Sequence, residues 1–322
     1  MTRAGALDFA GGSIPAYRPT HMVTPNNLAK ATFGPLVYLL ACAALAAFCA
    51  YPVFALSGSD SINFFRKLVS QGGQVFLFLG LVVLAGRLGL NAASLGMSRL
   101  FPRQWLVGFA LGVLMLGLHV LGLLALDVRV VKEGGLPGAE ALANILGKAL
   151  ATGIGVALLE ELLFRGALFA TARKLAGPAA AVVISAFYYA MLHFVGARWA
   201  QELSGLGWDS GFRVAADAFA NVRLASLDTF LALFLAGVLL ATIRTAFPRG
   251  LGLCMGLHAG WVFVVKVTKP LTQADPEARW SYLVGSYDGI VGYLSASWLA
   301  VLIVLWLAAL RQASTATNGD AR

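Results

Sequence analysis

The sequence predicts an all-α polytopic membrane protein, a bundle of about eight transmembrane helices. Three observations carry this. Of the 322 residues, 59% are hydrophobic and only 12% charged, with mean hydropathy +0.79, whereas a soluble domain runs near 25% charged. The apolar residues lie in unbroken stretches, not in the apolar–polar alternation of a β-barrel strand. Those stretches are also long enough: a spanning helix needs roughly 20 apolar residues, so eight take about half the chain. The same composition excludes disorder. The net charge of +9 does not indicate nucleic acid, because the basic residues punctuate apolar runs instead of clustering. Cys42, Cys49 and Cys254 sit inside such runs, which argues against a disulfide framework.

Residues 1–30 read as a polar tail, with Arg3, Arg18 and Lys30 against Asp8. No cleavable signal peptide is expected, since the first apolar run starts late and is too long for a signal core. Leu39–Cys42 has the look of a lipoprotein cleavage site, but the apolar stretch continues past Cys42, so it reads as a span. The bundle proper is expected over residues 31–311. Its apolar runs are Thr32–Ser57, Val75–Leu90, Trp105–Leu126, Ala141–Ala172, Ala179–Trp199, Thr229–Phe247, Leu251–Val267 and Ile290–Leu310, the second being the shortest. Gly177–Pro178 stops one helix and starts the next, and Pro248–Gly250 does the same between runs six and seven. Residues 312–322 form a second polar tail. In the long segment from Gly196 to Asp228, Phe212, Ala215, Ala216, Phe219 and Val222 recur at helical spacing among Arg213, Asp217 and Arg223. That pattern fits a helix in the membrane interface or one packed on the bundle.

Orientation follows from the distribution of Lys and Arg. With the N-terminus in the cytoplasm, the inside segments hold Arg3, Arg18, Lys30, Arg87, Arg99, Arg103, Arg173, Lys174, Arg244, Arg249, Arg311 and Arg322, against Asp8 and Asp320. Eight spans then put both termini inside the inner membrane of a bacterial cell.

Glu160, Glu161, Arg165 and Lys148 lie deep in apolar runs, as do His119, His193 and His258. Lys148, near its helix start, can snorkel. Charge at the depth of the others is costly and points to function. Glu161 and Arg165 are i and i+4, so they share a helix face in the favourable acid-first order. Glu160 points about 100° away and has no local partner, which suits a general base. Gly252, Gly256 and Gly260 form a stripe that admits close approach of another helix. If that stripe packs on a neighbour, His258 faces the other way, with Cys254 and Val262 on its side. Glu160, His193 and His258 each fall within about one turn of the midpoint of their runs, so a carboxylate and two imidazoles share one depth. His119 is a fourth candidate at mid-helix. Each taken alone has a structural explanation, an ion pair fixing packing or a histidine bonding a carbonyl. The set at one depth favours function.

Glu160-Glu161-Leu162-Leu163-Phe164-Arg165-Gly166, followed by a histidine helix and a second histidine helix, resembles the CPBP family of intramembrane proteases, the CAAX prenyl endopeptidase and bacteriocin-processing (Abi) type. The resemblance covers residues 141–266. It implies an endopeptidase acting on a membrane-associated peptide or protein. In it Glu160 activates the attacking water, Glu161 supports it and Arg165 orients the glutamates. His193 holds the water or a metal, and His258 helps stabilise the oxyanion. The resemblance leaves open a metal-free mechanism or a zinc or other divalent site on Glu160, His193 and His258; the HExxH signature is absent. Two positions depart from the family's pattern. Tyr189 stands where the family has phenylalanine, and Val262 stands where it usually has a polar residue, four after the second histidine.

Other classes fit less well. A rhomboid-type serine protease would need Gly-x-Ser-Gly, and a presenilin-type aspartyl protease Gly-x-Gly-Asp; neither occurs. A transporter would also use midplane charge, but no inverted repeat is visible. A non-catalytic scaffold or immunity protein on the same fold is the main alternative, and Val262 is the feature that favours it.

Overall fold

The computed structural model describes residues 23–197, 205–224, 226–285 and 287–319; most of the expected N-terminal tail and the end of the C-terminal one lie outside them. The order is α1 (Pro25–Ser57), α2 (Ile62–Leu88), α3 (Ala92–Leu95), α4 (Phe101–Ala125), β1 (Arg129–Val131), α5 (Ala139–Glu161), a π-helical segment (Leu162–Leu168), α6 (Phe169–Leu192), α7 (Ser210–Ala220), α8 (Leu227–Ala246), α9 (Leu251–Leu271), β2 (Thr272–Ala274) and α10 (Tyr293–Gly319). The strands form one short antiparallel ribbon with Val130 opposite Gln273. The architecture is therefore all-α and polytopic, as the composition requires.

Seven helical stretches are long and apolar enough to cross a membrane, and one of them, Ala139–Leu192, is 54 residues long. That stretch is not a rod. Gly177 adopts φ 84°, ψ 173° ahead of Pro178, so the helix breaks there. The Phe164 and Tyr189 rings lie 5.4 Å apart, where a continuous helix would separate them by about 37 Å. Ala172 and Ala181 also pack in one cluster. The chain folds back at Gly177, and the two arms are the fourth and fifth apolar runs.

The contacts then give eight passes along the bundle. Tyr38 Oη donates to the Leu77 carbonyl at 2.5 Å, which sets α1 and α2 antiparallel. Gly237 packs on Ala186 while Ala241 packs with Ala181, so α6 and α8 are antiparallel. Gly108 faces Leu253 and Gly112 faces Leu257, so the third pass, α4, runs parallel to the seventh, α9. Leu299 packs with Leu233, and Trp306 lies 5.9 Å from Phe247, so α8 and α10 are parallel. An even number of passes returns the chain to the side from which it started.

Two element boundaries differ from the sequence reading, and one open placement is resolved. The helix of the second run starts at Ile62, well before Val75. Polar Asn63, Arg66, Lys67 and Ser70 mask it, although the Ser61 side chain caps it by accepting from Phe64 N. The first helix starts at Pro25 with Thr24 as cap, inside the stretch read as tail. The helix in the Gly196–Asp228 segment packs on the bundle: Val214 is fully buried with Ala50, Phe65 and Val69.

The α4–α9 contact sets the seventh pass. A methyl group on Gly112 would meet the Leu257 carbonyl and lie 3.2 Å from Gly260 Cα, and one on Gly256 would lie 2.8 Å from Phe109 N. The glycine stripe thus packs on α4, and His258 is turned away from it, toward α5.

Candidate active site

Glu160 and Glu161 end α5, and the π-helical segment carries Arg165. π-helical turns are rare and frequent at functional sites. Glu161 and Arg165 are both fully buried, and Arg165 Nη1 donates to Glu161 Oε1 at 2.8 Å. Arg165 Nη2 donates to the Gly237 carbonyl at 3.3 Å, and the guanidinium lies 4.4 Å from the centre of the Tyr189 ring. The i,i+4 pair expected from the sequence is present, and it is tied to α6 and α8 as well.

The same Glu161 Oε1 lies 2.9 Å from His258 Nδ1. Oε1 already accepts from Arg165, and an ionised carboxylate only accepts, so His258 Nδ1 carries the proton. His193 Nδ1 lies 2.7 Å from the Tyr189 carbonyl, which also only accepts, so that nitrogen is the donor too. Both rings therefore present Nε2 elsewhere, and both present it to Glu160: Oε2 is 3.8 Å from His258 Nε2 and 4.0 Å from His193 Nε2. Glu160 Oε2 is buried without a hydrogen bond from the protein. The structure thus brings Glu160, Glu161, Arg165, His193 and His258 into one cluster from three parts of the chain.

Residues 142–264 match the Rce1-like family model, type II CAAX prenyl endopeptidase. No curated protein and no solved structure matches the chain. The Rce1-like segment nearly coincides with the stretch that carries the resemblance, and it contains all five residues of the cluster.

The cluster opens on two chambers. One, of about 320 Å³, lies toward α4, α8, α9 and α10 and includes Val262, Trp261 and Ser295. The other, of about 500 Å³, lies toward α1, α2 and α7. Val156, Glu160, His193 and Tyr287 line both.

The conditional metal trio does not match a zinc site as it stands. Donors at about 2.0–2.1 Å from a tetrahedral zinc are about 3.3 Å from one another, so the observed 3.8 and 4.0 Å are too wide. Among the described residues no group of three or more His, Cys, Asp or Glu is gathered to hold a metal ion. The spacing suits a water or a substrate group between Glu160 and the two imidazoles.

His119 does not join the cluster. Its Nε2 lies 3.0 Å from the Ile290 carbonyl, so it serves the loop before α10. Cys254 is fully buried, with its thiol toward the Leu240 carbonyl at 3.4 Å; it faces α8, not the chamber shared by His258 and Val262. Lys148 is exposed, as snorkelling requires. Tyr287 was not singled out for this chemistry by the sequence reading. It lies outside the Rce1-like segment, on a loop with no periodicity to mark it.

Proposed function

We propose that this protein is a membrane endopeptidase in which Glu160 activates a water molecule against a peptide carbonyl. The observation that carries the reading is the buried, unbonded Glu160 Oε2 facing two imidazole nitrogens whose other nitrogens are already committed. The Rce1-like match supports the reaction class and suggests prenylated C-terminal CAAX peptides as the first substrates to test.

In the reaction, water that donates one hydrogen to Glu160 Oε2 and the other to His193 Nε2 loses the first of them to the Glu160 carboxylate. Its oxygen bonds the carbonyl carbon, and the carbonyl π pair moves onto oxygen. The C–N bond then breaks, and the proton on Glu160 passes to the leaving amine. Glu161 and Arg165 do not touch the substrate. Glu161 fixes the orientation of His258, and Arg165 donates to Glu161 and pairs with it in apolar surroundings. No step requires a metal. Charge asymmetry favours cytoplasmic termini.

A second reading, a non-catalytic scaffold, draws on Val262, which offers the chamber no polar group. One experiment separates the two. Wild type and Glu160→Gln are compared on a fluorescence-quenched farnesylated CAAX peptide and on an unprenylated quenched peptide library, in detergent and with chelator. Cleavage that survives chelation and falls about 10³-fold or more in Glu160→Gln is expected. Equal behaviour of the two folded proteins favours the scaffold, and loss of activity in chelator favours a metal.

A further inference from the structure

A tetrahedral intermediate needs a hydrogen-bond donor on its oxygen, and the donors that the motif suggests are not free to give one. His193 and His258 each spend their Nδ1 proton on a fixed acceptor, so in the neutral rings Nε2 only accepts. Val262 has no donor. Cys254 and His119 bond the Leu240 and Ile290 carbonyls. In the chamber, the Trp298 indole N–H bonds the Met115 carbonyl at 3.2 Å, and Ser295 bonds within its own turn.

We propose that the Tyr287 hydroxyl supplies the missing donor, acting as a catalytic residue on the carbonyl oxygen of the intermediate beside Glu160. This deepens the hydrolase reading and rests on it. Tyr287 lines both chambers, at their shared wall with Glu160 and His193. Tyr189 lines only one and is buried, with Arg165 over its ring and His193 at 4.6 Å. Trp261 likewise lines one chamber and packs on α8 and α10 residues. Tyr287 is 48% exposed, so its side chain is not sealed in the core.

The loop that carries Tyr287 is built to hold a position. Buried Arg129 donates from Nη1 to the Gly289 carbonyl at 2.7 Å, while its Nε and Nη2 bond Thr272. Asp288 Oδ1 accepts from Ile290 N and Val291 N at 2.9 and 2.8 Å. Gly285 N donates to the Val291 carbonyl at 2.8 Å, and the Phe194 ring lies 6.0 Å from Tyr287. A loop that only connected α9 to α10 would not need a buried arginine. Burial, then Asp288 and Glu160, raise the Tyr287 phenol above its usual range, so it keeps its proton at neutral pH. During attack the carbonyl π pair moves onto oxygen and accepts the phenolic hydrogen bond; the phenol keeps its proton, and Glu160 carries the only proton transferred.

The test is Tyr287→Phe, Val262→Asn and the double variant on the same two quenched-peptide probes, with folding checked by melting in detergent. Tyr287→Phe should lower kcat about 10²-fold with KM little changed. Val262→Asn should keep activity, and in the double variant it should restore at least tenfold of what Tyr287→Phe loses. If Tyr287→Phe does not fold, 3-fluorotyrosine placed at position 287 keeps the ring and makes the phenol a stronger donor: a changed kcat with KM unchanged supports the donor role, and an unchanged kcat overturns it. A Tyr287→Phe protein with wild-type kcat, a loss in KM alone, or a double variant no better than the single would overturn the inference. Wild type inactive on both probes would overturn the hydrolase reading itself; active wild type with inactive Glu160→Gln and active Tyr287→Phe would overturn this inference alone.

Discussion

Arg165 combines full burial, a 2.8 Å ion pair, a bond to the Gly237 carbonyl and a place over the Tyr189 ring. Removing one partner of such a pair leaves the other charge uncompensated, at a cost of about 3–5 kcal/mol. Arg165→Ala should therefore melt earlier in detergent, and Arg165→Lys should restore little, because an ammonium cannot donate along two directions and stack at once. An Arg165→Ala protein with unchanged melting would mean the pair carries no net stability. Glu160, one residue from Glu161, differs because it keeps a partly open side chain and an unbonded oxygen. Adjacent identical residues thus have different surroundings: Glu161 bonds a histidine, and Glu160 faces the two chambers.

Among the helices, the α4–α9 seam decides where His258 lies. Its fit is testable with two glycines of one helix. A methyl group on Gly112 meets the backbone of α9, whereas one on Gly117 meets nothing within 4 Å. Gly112→Ala should destabilise by about 1–3 kcal/mol through overpacking. Gly117→Ala should be neutral or stabilising by up to about 1 kcal/mol, from helix propensity. Equal melting shifts for the two would refute the close seam. On a neighbouring face of α9, Gly153 brings α5 against the Ala259 carbonyl, 2.7 Å from where its own methyl would sit. The two seams fix α9 between α4 and α5, and the Glu161–His258 bond of 2.9 Å follows from that placement.

For the whole molecule, eight passes put the start of α1 and the end of α10 on one side. In the orientation proposed from the Lys and Arg distribution, that side is cytoplasmic. A fluorescent protein fused at the C-terminus should therefore fluoresce in a bacterial host, while alkaline phosphatase inserted at Gly134, in the loop between α4 and α5, should be active. Opposite results at the two positions would invert the orientation, and matching sides for both would refute the pass count. The site lies where the hairpin at Gly177 returns His193 to Glu160, between the two chambers.

The sequence by itself determined the class of molecule and most of its spans, because apolar length and Lys/Arg bias act locally and the membrane reads them directly. It also determined Glu161–Arg165, since i,i+4 geometry belongs to one helix, and the turn at Gly177–Pro178, since those residues break helices by their own backbones. The glycine stripe foretold which way His258 faces, but not which helices would flank it. The extent of α2 was hidden because polar residues on a helix that packs on α1 and α7 break up the apolar run. Only the tertiary structure decided that Glu160 lies within about 4 Å of both His193 and His258, and that His119 and Cys254 turn elsewhere. Only it could bring in Arg129 and Tyr287. Their roles depend on contacts such as Arg129 with Gly289, 160 residues apart in the chain, and no local spacing encodes a contact made by two segments that meet only after the bundle has closed.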